Sequence, residues 1–559
     1  MAAYMPWLSS YPDSIDWRMD LPEIPLGEVL DRCVQDYGAR VCTHFLGKET
    51  SYREIGDLTA RAARGLQDMG IVSGDKVGIL LPNCPLYIVV YFAVLKIGAT
   101  VVNYNPLYTV EELEYQVRDS ETRVMVTLDL TLTFAKTESL LAANVLERVI
   151  VARFASFLPR LKSFLFRIFK AKEITDLKVS TQKNRITRFE NLIENDGCYR
   201  AAKINAHEDI AVLQYTGGTT GTPKGAMLTH GNLSVNIGQI QAWATNLEPG
   251  KERTMGFLPF FHVFGMTAVM NFGVASGCEI VMVPRFELDE ALKLITRVKP
   301  TVMPGVPTIY NAMLNHPRIT TFDLSSLKFC VSGGAPLPVE VKRGFEAVAG
   351  CKLVEAYGLS ETSPLVTCNP IEGQIKPGSI GVPVPRTRVS IRSLEDINVE
   401  MPIGEKGEIC IAGPQVMKGY WQRPKETKDS FTGEFFRTGD VGYMDDEGFI
   451  FIVDRLKDLI LCSGYNVYPR RIEEAIYEYP AVEEVTVIGI RDEYRGEAPK
   501  AFIKLRAGER ASAEDILDFL KAKISKIEMP QVIEFRDELP KTMIGKLSKK
   551  ELREEAQVS

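Results

Sequence analysis

The sequence predicts an α/β protein: a large N-terminal domain of α/β subdomains plus a β-subdomain, followed by a small α+β C-terminal domain. Three observations carry this reading. Strand-like and helix-like segments alternate through most of the first 450 residues, and strands separated by helices imply parallel βαβ units. From about residue 376 the texture shifts to short strands punctuated by Gly and Pro, as in an antiparallel subdomain. Past residue 453 comes a compact unit of roughly a hundred residues, the size of a small domain. A chain of 559 residues is also too long for one hydrophobic core.

Each element follows from local pattern. "KVGILLP" (76–82) reads as a buried strand, "LYIVVYFAVLKIGA" (86–99) as a helix and "TVVNYNP" (100–106) as the next strand. The rhythm recurs at "EIVMVP" (279–284), "ELDEALKLITRVKP" (287–300) and "TVMPGVP" (301–307). The stretches "KPGSIGVPVPRTRVSIRS", "GEKGEICIAGPQVMKGYW" and "EGFIFIVDR" supply the β-subdomain. "VDRLKDLILCSGYNVYPRRIEEAI" (453–476) reads as strand, turn and helix. "VEEVTVIGIRD", "PKAFIKLR" and a helix from Ser512 to about Lys526 follow. The expected division is 1–454 and 455–559.

Bulk composition removes several function classes. Hydrophobic content of 45% and charged content of 25% are those of a globular protein, and a net charge of −6 argues against a nucleic-acid partner. The ten cysteines include no CxxC pair, so reduced and mostly buried thiols of a cytoplasmic protein are expected. The five histidines form no HExxH or HxH cluster, so zinc is not expected. The first residues lack a basic start followed by an apolar run, so no secretory signal is expected. The most apolar stretch, 88–95, is broken by Lys96 and is too short to span a bilayer.

The strand "DIAVLQYT" (209–216) feeds "YTGGTTGTPKGAMLTHGN" (215–232). Gly217, Gly218, Gly221 and Gly225 permit the close backbone approach that phosphate oxygens need. Thr216, Thr219, Thr220 and Thr222 offer hydroxyls, and Lys224 a cation. The Walker A spacing fails, because Thr222 lies five residues after Gly217 and Pro223 five after Gly218. No GxGxxG follows a strand. The competing reading of the segment alone is a flexible surface loop, which this density of glycines, hydroxyls and a lysine disfavours.

Four further segments carry polar groups that gain meaning together. "VEAYGLSETSPL" (354–365) sets Tyr357, Ser360 and Glu361 within five residues, and "FFRTGDVGYMD" (435–445) carries Asp440. "DRLKDLI" (454–460) offers Arg455 and Lys457, and "LPKTMIGKLSKKEL" (539–552) presents Lys546 after a glycine. In this order and spacing, over essentially the whole chain, they closely resemble the acyl-adenylate-forming superfamily. Its motifs are YTSGTTGxPKG, YGxTE, TGD, a DRxK-containing hinge and PKTxxGK. "GPQVMKGYWQRP", "VDRLKDLILCSGYNVYPRRIE" and "IEFRDELPK" look most like bacterial long-chain fatty acid–CoA ligases.

The resemblance implies two half-reactions. A carboxylate attacks the α-phosphorus of ATP to give acyl-AMP and pyrophosphate, and the CoA thiol then expels AMP. It implies that the loop 216–225 holds the β- and γ-phosphates, with Thr216 and Glu361 near Mg²⁺. Tyr357 with Gly358 is expected at adenine, Ser360 beside the α-phosphate, and Gly333, Gly334 and Ala335 of "SGGAPLP" along the same pocket. Asp440 is expected at the ribose with Arg455 nearby, and Lys546 between the attacking carboxylate and the α-phosphate. Lys457 marks the hinge of a mobile C-terminal domain, its competing reading being a solvated surface charge. His262 in "LPFFHVFG" is placed near the acyl carboxylate, against the alternative of a satisfied structural histidine. Segments around 258–266, 303–310 and 332–336 are expected to line the acyl pocket.

The expected activity is ATP- and Mg²⁺-dependent ligation of a medium- or long-chain fatty acid to CoA. The alternatives are loading of a carrier protein, ligation of aromatic or dicarboxylic acids, and a non-catalytic nucleotide-binding homologue. A homodimer is a further expectation. "RFASFLPRLKSFLFRIFKAK" (153–172) holds six basic residues and no acidic one. Phe157, Leu158, Leu161, Phe164, Leu165, Ile168 and Phe169 fall at helical spacing, with the helix beginning at Pro159. This is the composition of an interfacial membrane helix, or of a core-packed helix with a solvated basic face. The first reading would add peripheral contact through 157–170 with the inner face of the cytoplasmic membrane.

Overall fold

The computed structural model describes residues 5–216, 222–463, 465–542 and 545–558, the side chains of 557 and 558 apart. It is a mixed α/β protein with a large N-terminal domain and a small C-terminal domain. Two largely parallel sheets dominate the larger one. The nine-stranded sheet runs from Val382–Pro383 through Leu365–Cys368, Lys352–Gly358, Phe329–Gly333, Val302–Gly305, Arg253–Gly256, Glu279–Met282 and Val41–Phe45 to Lys48–Ser51. Its central strands are parallel and its outer strands antiparallel. The seven-stranded sheet places Thr100–Asn103 between Lys76–Ile79 and Ile210–Thr216, and ends in the antiparallel hairpin to Lys224–Thr229. The largest core takes side chains from both sheets, Val77 and Ile79 from one, Ile280 and Met303 from the other.

Helix Pro85–Lys96, apolar on all sides in sequence, is buried at every residue. It packs on helices Leu26–Tyr37 and Tyr52–Asp68. The β-subdomain is a five-stranded antiparallel sheet in which Phe435–Met444 pairs with Ile450–Arg455, setting Asp440 opposite Arg455. The C-terminal sheet joins Ile460–Cys462, Tyr465–Val467, Val482–Asp492, Gly496–Leu505 and Val532–Phe535 around its own core of Ile460, Ile472, Val485, Ile503 and Leu520.

Two expectations change. Between the strand and the helix of 453–476 stands a hairpin, Ile460–Cys462 with Tyr465–Val467, in place of a plain turn. Its strands are three residues long, too short to show alternation. The helix capped by Ser512 ends at Leu520, well before Lys526. All ten cysteines are free thiols, and only Cys198 is exposed. No helix among the described residues is long and apolar enough to cross a membrane.

Candidate active site

In open α/β sheets ligands bind in the crevice beyond the carboxyl ends of the parallel strands. A cavity of about 700 Å³ lies there. Asn103, Thr216, Gly333 and Tyr357–Gly358 line it, each at the end of its strand. Asp440 and Arg455 reach it from the β-subdomain, and Lys546 from the C-terminal segment. Lys224, His262, Ser360, Glu361 and Lys457 of the predicted set line the same space. Ala335, half-buried one residue past Gly334, is not among the lining residues. Gly217, Gly218, Thr219, Thr220 and Gly221 lie outside the described residues.

Asp440 is almost fully buried and bonded on both oxygens. The Tyr357 hydroxyl donates to one at 2.6 Å, and Arg455 Nε approaches the other at 3.0 Å. Burial and the adjacent carboxylate keep the Tyr357 phenol far above its ordinary pKa, so it is a fixed donor.

Lys546 enters on a tight turn. The Gly545 N–H donates to the Thr542 carbonyl at 2.8 Å, and the Thr542 N–H to the Lys546 carbonyl at 2.6 Å. The Thr308 hydroxyl donates to the Gly545 carbonyl at 2.6 Å, tying this turn to the larger domain. The lysine side chain then crosses Gly334, which sits at φ +82°. A Cβ there would lie 2.6 Å from Lys546 Cε and 3.0 Å from Nζ. Burial first, and the Arg455 cation second, lower the Lys546 ammonium to about 8, so it remains mainly protonated at neutral pH.

His262 Nδ1 accepts the Phe264 N–H at 3.2 Å, so in the neutral ring the proton must sit on Nε2. Burial and the Lys546 charge push the imidazole down to about 3, which keeps it neutral. The result is a neutral N–H donor in the cavity wall. Its turn is held from below: Tyr87 donates to Asn103 at 2.6 Å, Asn103 to Gln214 at 2.9 Å, and Gln214 to the Phe261 carbonyl at 3.0 Å.

Glu361 lies in the turn Ser360–Thr362, and burial raises its pKa. The Tyr420 hydroxyl donates to Oε1 at 2.8 Å and partly offsets that effect. Lys224 Nζ stands 5.3 Å from the centre of the same Tyr420 ring. Residues 417–421 form a strap: the Met417 N–H bonds the Glu361 carbonyl, and Met227 and Trp421 N–H groups link the strap to 225–227, each at 2.8 Å. Sequence reasoning missed Tyr420, Asn103, Gln214 and Thr308. The adjacent aromatics after Gly419 were the available signal for Tyr420. For a hard divalent cation, Glu361 and Thr216 offer one carboxylate and one hydroxyl, oxygen donors alone, which fits Mg²⁺ on a polyphosphate.

The AMP-binding enzyme family matches residues 30–421, and the AMP-binding enzyme C-terminal domain matches 471–546. A long-chain-fatty-acid–CoA ligase of Bacillus subtilis (strain 168) is 43% identical over 558 residues, 99% of each chain. The anthranilate CoA ligase AuaEII, solved with anthranoyl-AMP, superposes with a TM-score of 0.84 at 26% identity, over 97% of this chain and 99% of that one. ATP-bound MatB from Rhodopseudomonas palustris gives a TM-score of 0.83 at 29% identity, over 95% and 98%; its apo form gives 0.74. With a site that draws on both of its domains and a match that spans nearly its whole length, this chain belongs to the AMP-binding enzyme family.

Proposed function

We propose that this protein is an ATP-dependent fatty acid–CoA ligase acting on medium- or long-chain acids. Membership of the AMP-binding family implies ATP and CoA as co-substrates, and the identity to long-chain-fatty-acid–CoA ligases supports the acid class. The observation that carries the mechanism is the Lys546 ammonium, brought from the C-terminal segment across Gly334 into a cavity that also holds His262, Asp440 and Arg455.

In the first half-reaction a carboxylate oxygen attacks the α-phosphorus and pyrophosphate leaves. Lys546 sits between the two anions and offsets charge as the new P–O bond forms. His262 Nε2–H donates to the other carboxylate oxygen and orients it. Tyr357 and Gly358 hold adenine with Gly333 and Gly334, and Asp440 accepts from the ribose hydroxyls. Ser360 stands beside the α-phosphate, while the loop 216–225, with Lys224, takes the β- and γ-phosphates. Glu361 and Thr216 would hold Mg²⁺, which supplies charge neutralisation on the phosphates. In the second half-reaction the thiol sulfur attacks the acyl carbon, its proton is lost to solvent, and AMP leaves.

Lys546 must withdraw before the thiol can enter. We place the boundary between the domains at 454/455, with Lys457 at the hinge of a mobile C-terminal domain. The higher TM-score to ATP-bound than to apo MatB supports reading this arrangement as the adenylating one. A homodimer and peripheral membrane contact through 157–170 belong to the same reading. Pyrophosphate release across acids of graded length and polarity, with and without CoA, tests the function. Turnover with long-chain acids that requires CoA is expected. Preference for aromatic or dicarboxylic acids, or release indifferent to CoA, would overturn the assignment.

A further inference from the structure

The helix Arg160–Phe169 has no buried residue. It rests on the molecule through Phe166, whose ring meets Phe154 at 5.1 Å, and Phe154 meets Phe45 at 6.0 Å in the core. Pro159 caps its start, as the sequence predicts, but the apolar stripe divides. Leu158 is buried and Phe157 half-buried, so neither belongs to the outer face. Leu161, Phe164, Leu165, Ile168 and Phe169 are 70%, 61%, 40%, 53% and 78% exposed. With 3.6 residues per turn these five cover an arc of about 140° on the side away from Phe166. A core-packed helix would bury that arc, so the alternative of a packed apolar face with a solvated basic face is corrected.

Charge borders the arc. Arg160 and Arg167 fall on one flank and Lys162 on the other, where its Nζ donates to the Leu46 carbonyl at 2.8 Å. Lys172 follows the helix and is exposed. Arg160, Arg167 and Lys172 make no ion pair among the described residues, whereas Lys170 is paired with Glu173 at 2.6 Å. Leu132 extends the apolar surface at the C-terminal end. It is 61% exposed and follows Thr131, whose hydroxyl donates to the Lys172 carbonyl at 3.4 Å.

We propose that the helix Arg160–Phe169 is an interfacial anchor that seats this protein on an anionic lipid bilayer. A contiguous exposed apolar face of this kind on a globular protein marks an interaction surface. Unpaired arginines beside a Phe/Leu/Ile arc match the acyl–headgroup boundary, where the rings and aliphatic chains enter the acyl region and the cations meet lipid phosphates. A second copy of the chain is a poorer occupant, because a symmetric contact would set Arg160 and Arg167 against their own counterparts. The biological sense of the anchor rests on the proposed function, since a long-chain acid partitions into lipid. Its physical basis does not.

Flotation of the full-length protein with phosphatidylglycerol-containing vesicles and with pure phosphatidylcholine vesicles, without substrate, tests the anchor. Wild type should float with the anionic vesicles, and added salt should weaken binding. Phe164→Ser/Ile168→Ser should lower partitioning by at least about tenfold. Arg160→Glu/Arg167→Glu should do so on anionic vesicles only, also by about tenfold or more. Unaltered thermal melting establishes that the variants fold. Pyrophosphate release with a water-soluble acid should match wild type in both. Equal flotation of wild type and Phe164→Ser/Ile168→Ser would overturn the proposal. So would a wild-type dimer that ignores vesicles and becomes monomeric in that variant, which would make the face a contact between copies. Vesicle binding without any acid-dependent pyrophosphate release would leave the anchor standing and refute the ligase reading.

Discussion

Gly334→Ala should separate the two half-reactions without replacing a charged residue. The residue sits at φ +82°, where an alanine costs roughly 1–2 kcal/mol in backbone strain, too little to unfold a domain of ordinary stability. The larger effect is on Lys546. The new Cβ would stand 2.6 Å from Cε, and an ordinary carbon–carbon contact of about 3.5–4.0 Å requires the lysine tip to retreat by about 1 Å. The tip is flexible and can move, so the displacement falls on function. A misplacement of that size costs about 10² in rate at a reacting centre. Adenylate formation, followed by pyrophosphate exchange, should therefore fall by about two orders of magnitude. Thioester formation from supplied acyl-AMP should stay near wild type. In a Lys546→Ala background Gly334→Ala should add almost nothing, the mark of two residues acting through one group. A Gly334→Ala enzyme with wild-type adenylation would refute the reasoning, as would an equal loss of both half-reactions.

Two further outcomes are expected. Tyr420→Phe keeps the ring near Lys224 but removes the 2.8 Å hydrogen bond to Glu361, a charged-group interaction worth about 1.5–3 kcal/mol. It should raise the Mg²⁺ concentration needed for adenylation, and a Mg²⁺ titration matching wild type would remove Tyr420 as a positioning residue. The pH dependence follows from Lys546. Its working form is the cation and its pKa in the free protein is lowered to about 8, so kcat/KM for adenylation should hold below pH 8 and fall about tenfold per pH unit above it. A plateau extending to the ordinary lysine range would contradict the burial argument. His262, lowered to about 3, should add no inflection above pH 5.

Much of the site was legible because its chemistry needs particular residue types in fixed local order. Tyr357 and Glu361 are four residues apart at a strand end, and Asp440 and Arg455 are neighbours across one hairpin. The helix start at Pro159 was legible too, since proline's missing N–H and fixed φ suit a first turn. What stayed hidden depends on contacts between distant segments. Tyr420 joins Glu361 to Lys224 only because the strap 417–421 runs beside 225–227. The need for glycine at 334 comes partly from a lysine more than two hundred residues away. Periodicity grouped Leu158 with the helix's apolar stripe because it counts spacing, whereas the turn before Pro159 directs that side chain into the core. The hairpin at 460–467 escaped because three-residue strands carry no periodic signal.

The central claim is that one ammonium, on the smaller domain, serves the first half-reaction and not the second. Measuring both half-reactions of Lys546→Ala tests it most directly. Pyrophosphate exchange should fall by about 10²–10³, the 2.7–4 kcal/mol typical of losing a preorganised donor at developing charge. Conversion of supplied acyl-AMP and CoA to thioester should remain within a few-fold of wild type. Loss of both to the same degree, or adenylation that survives the substitution, would contradict the account.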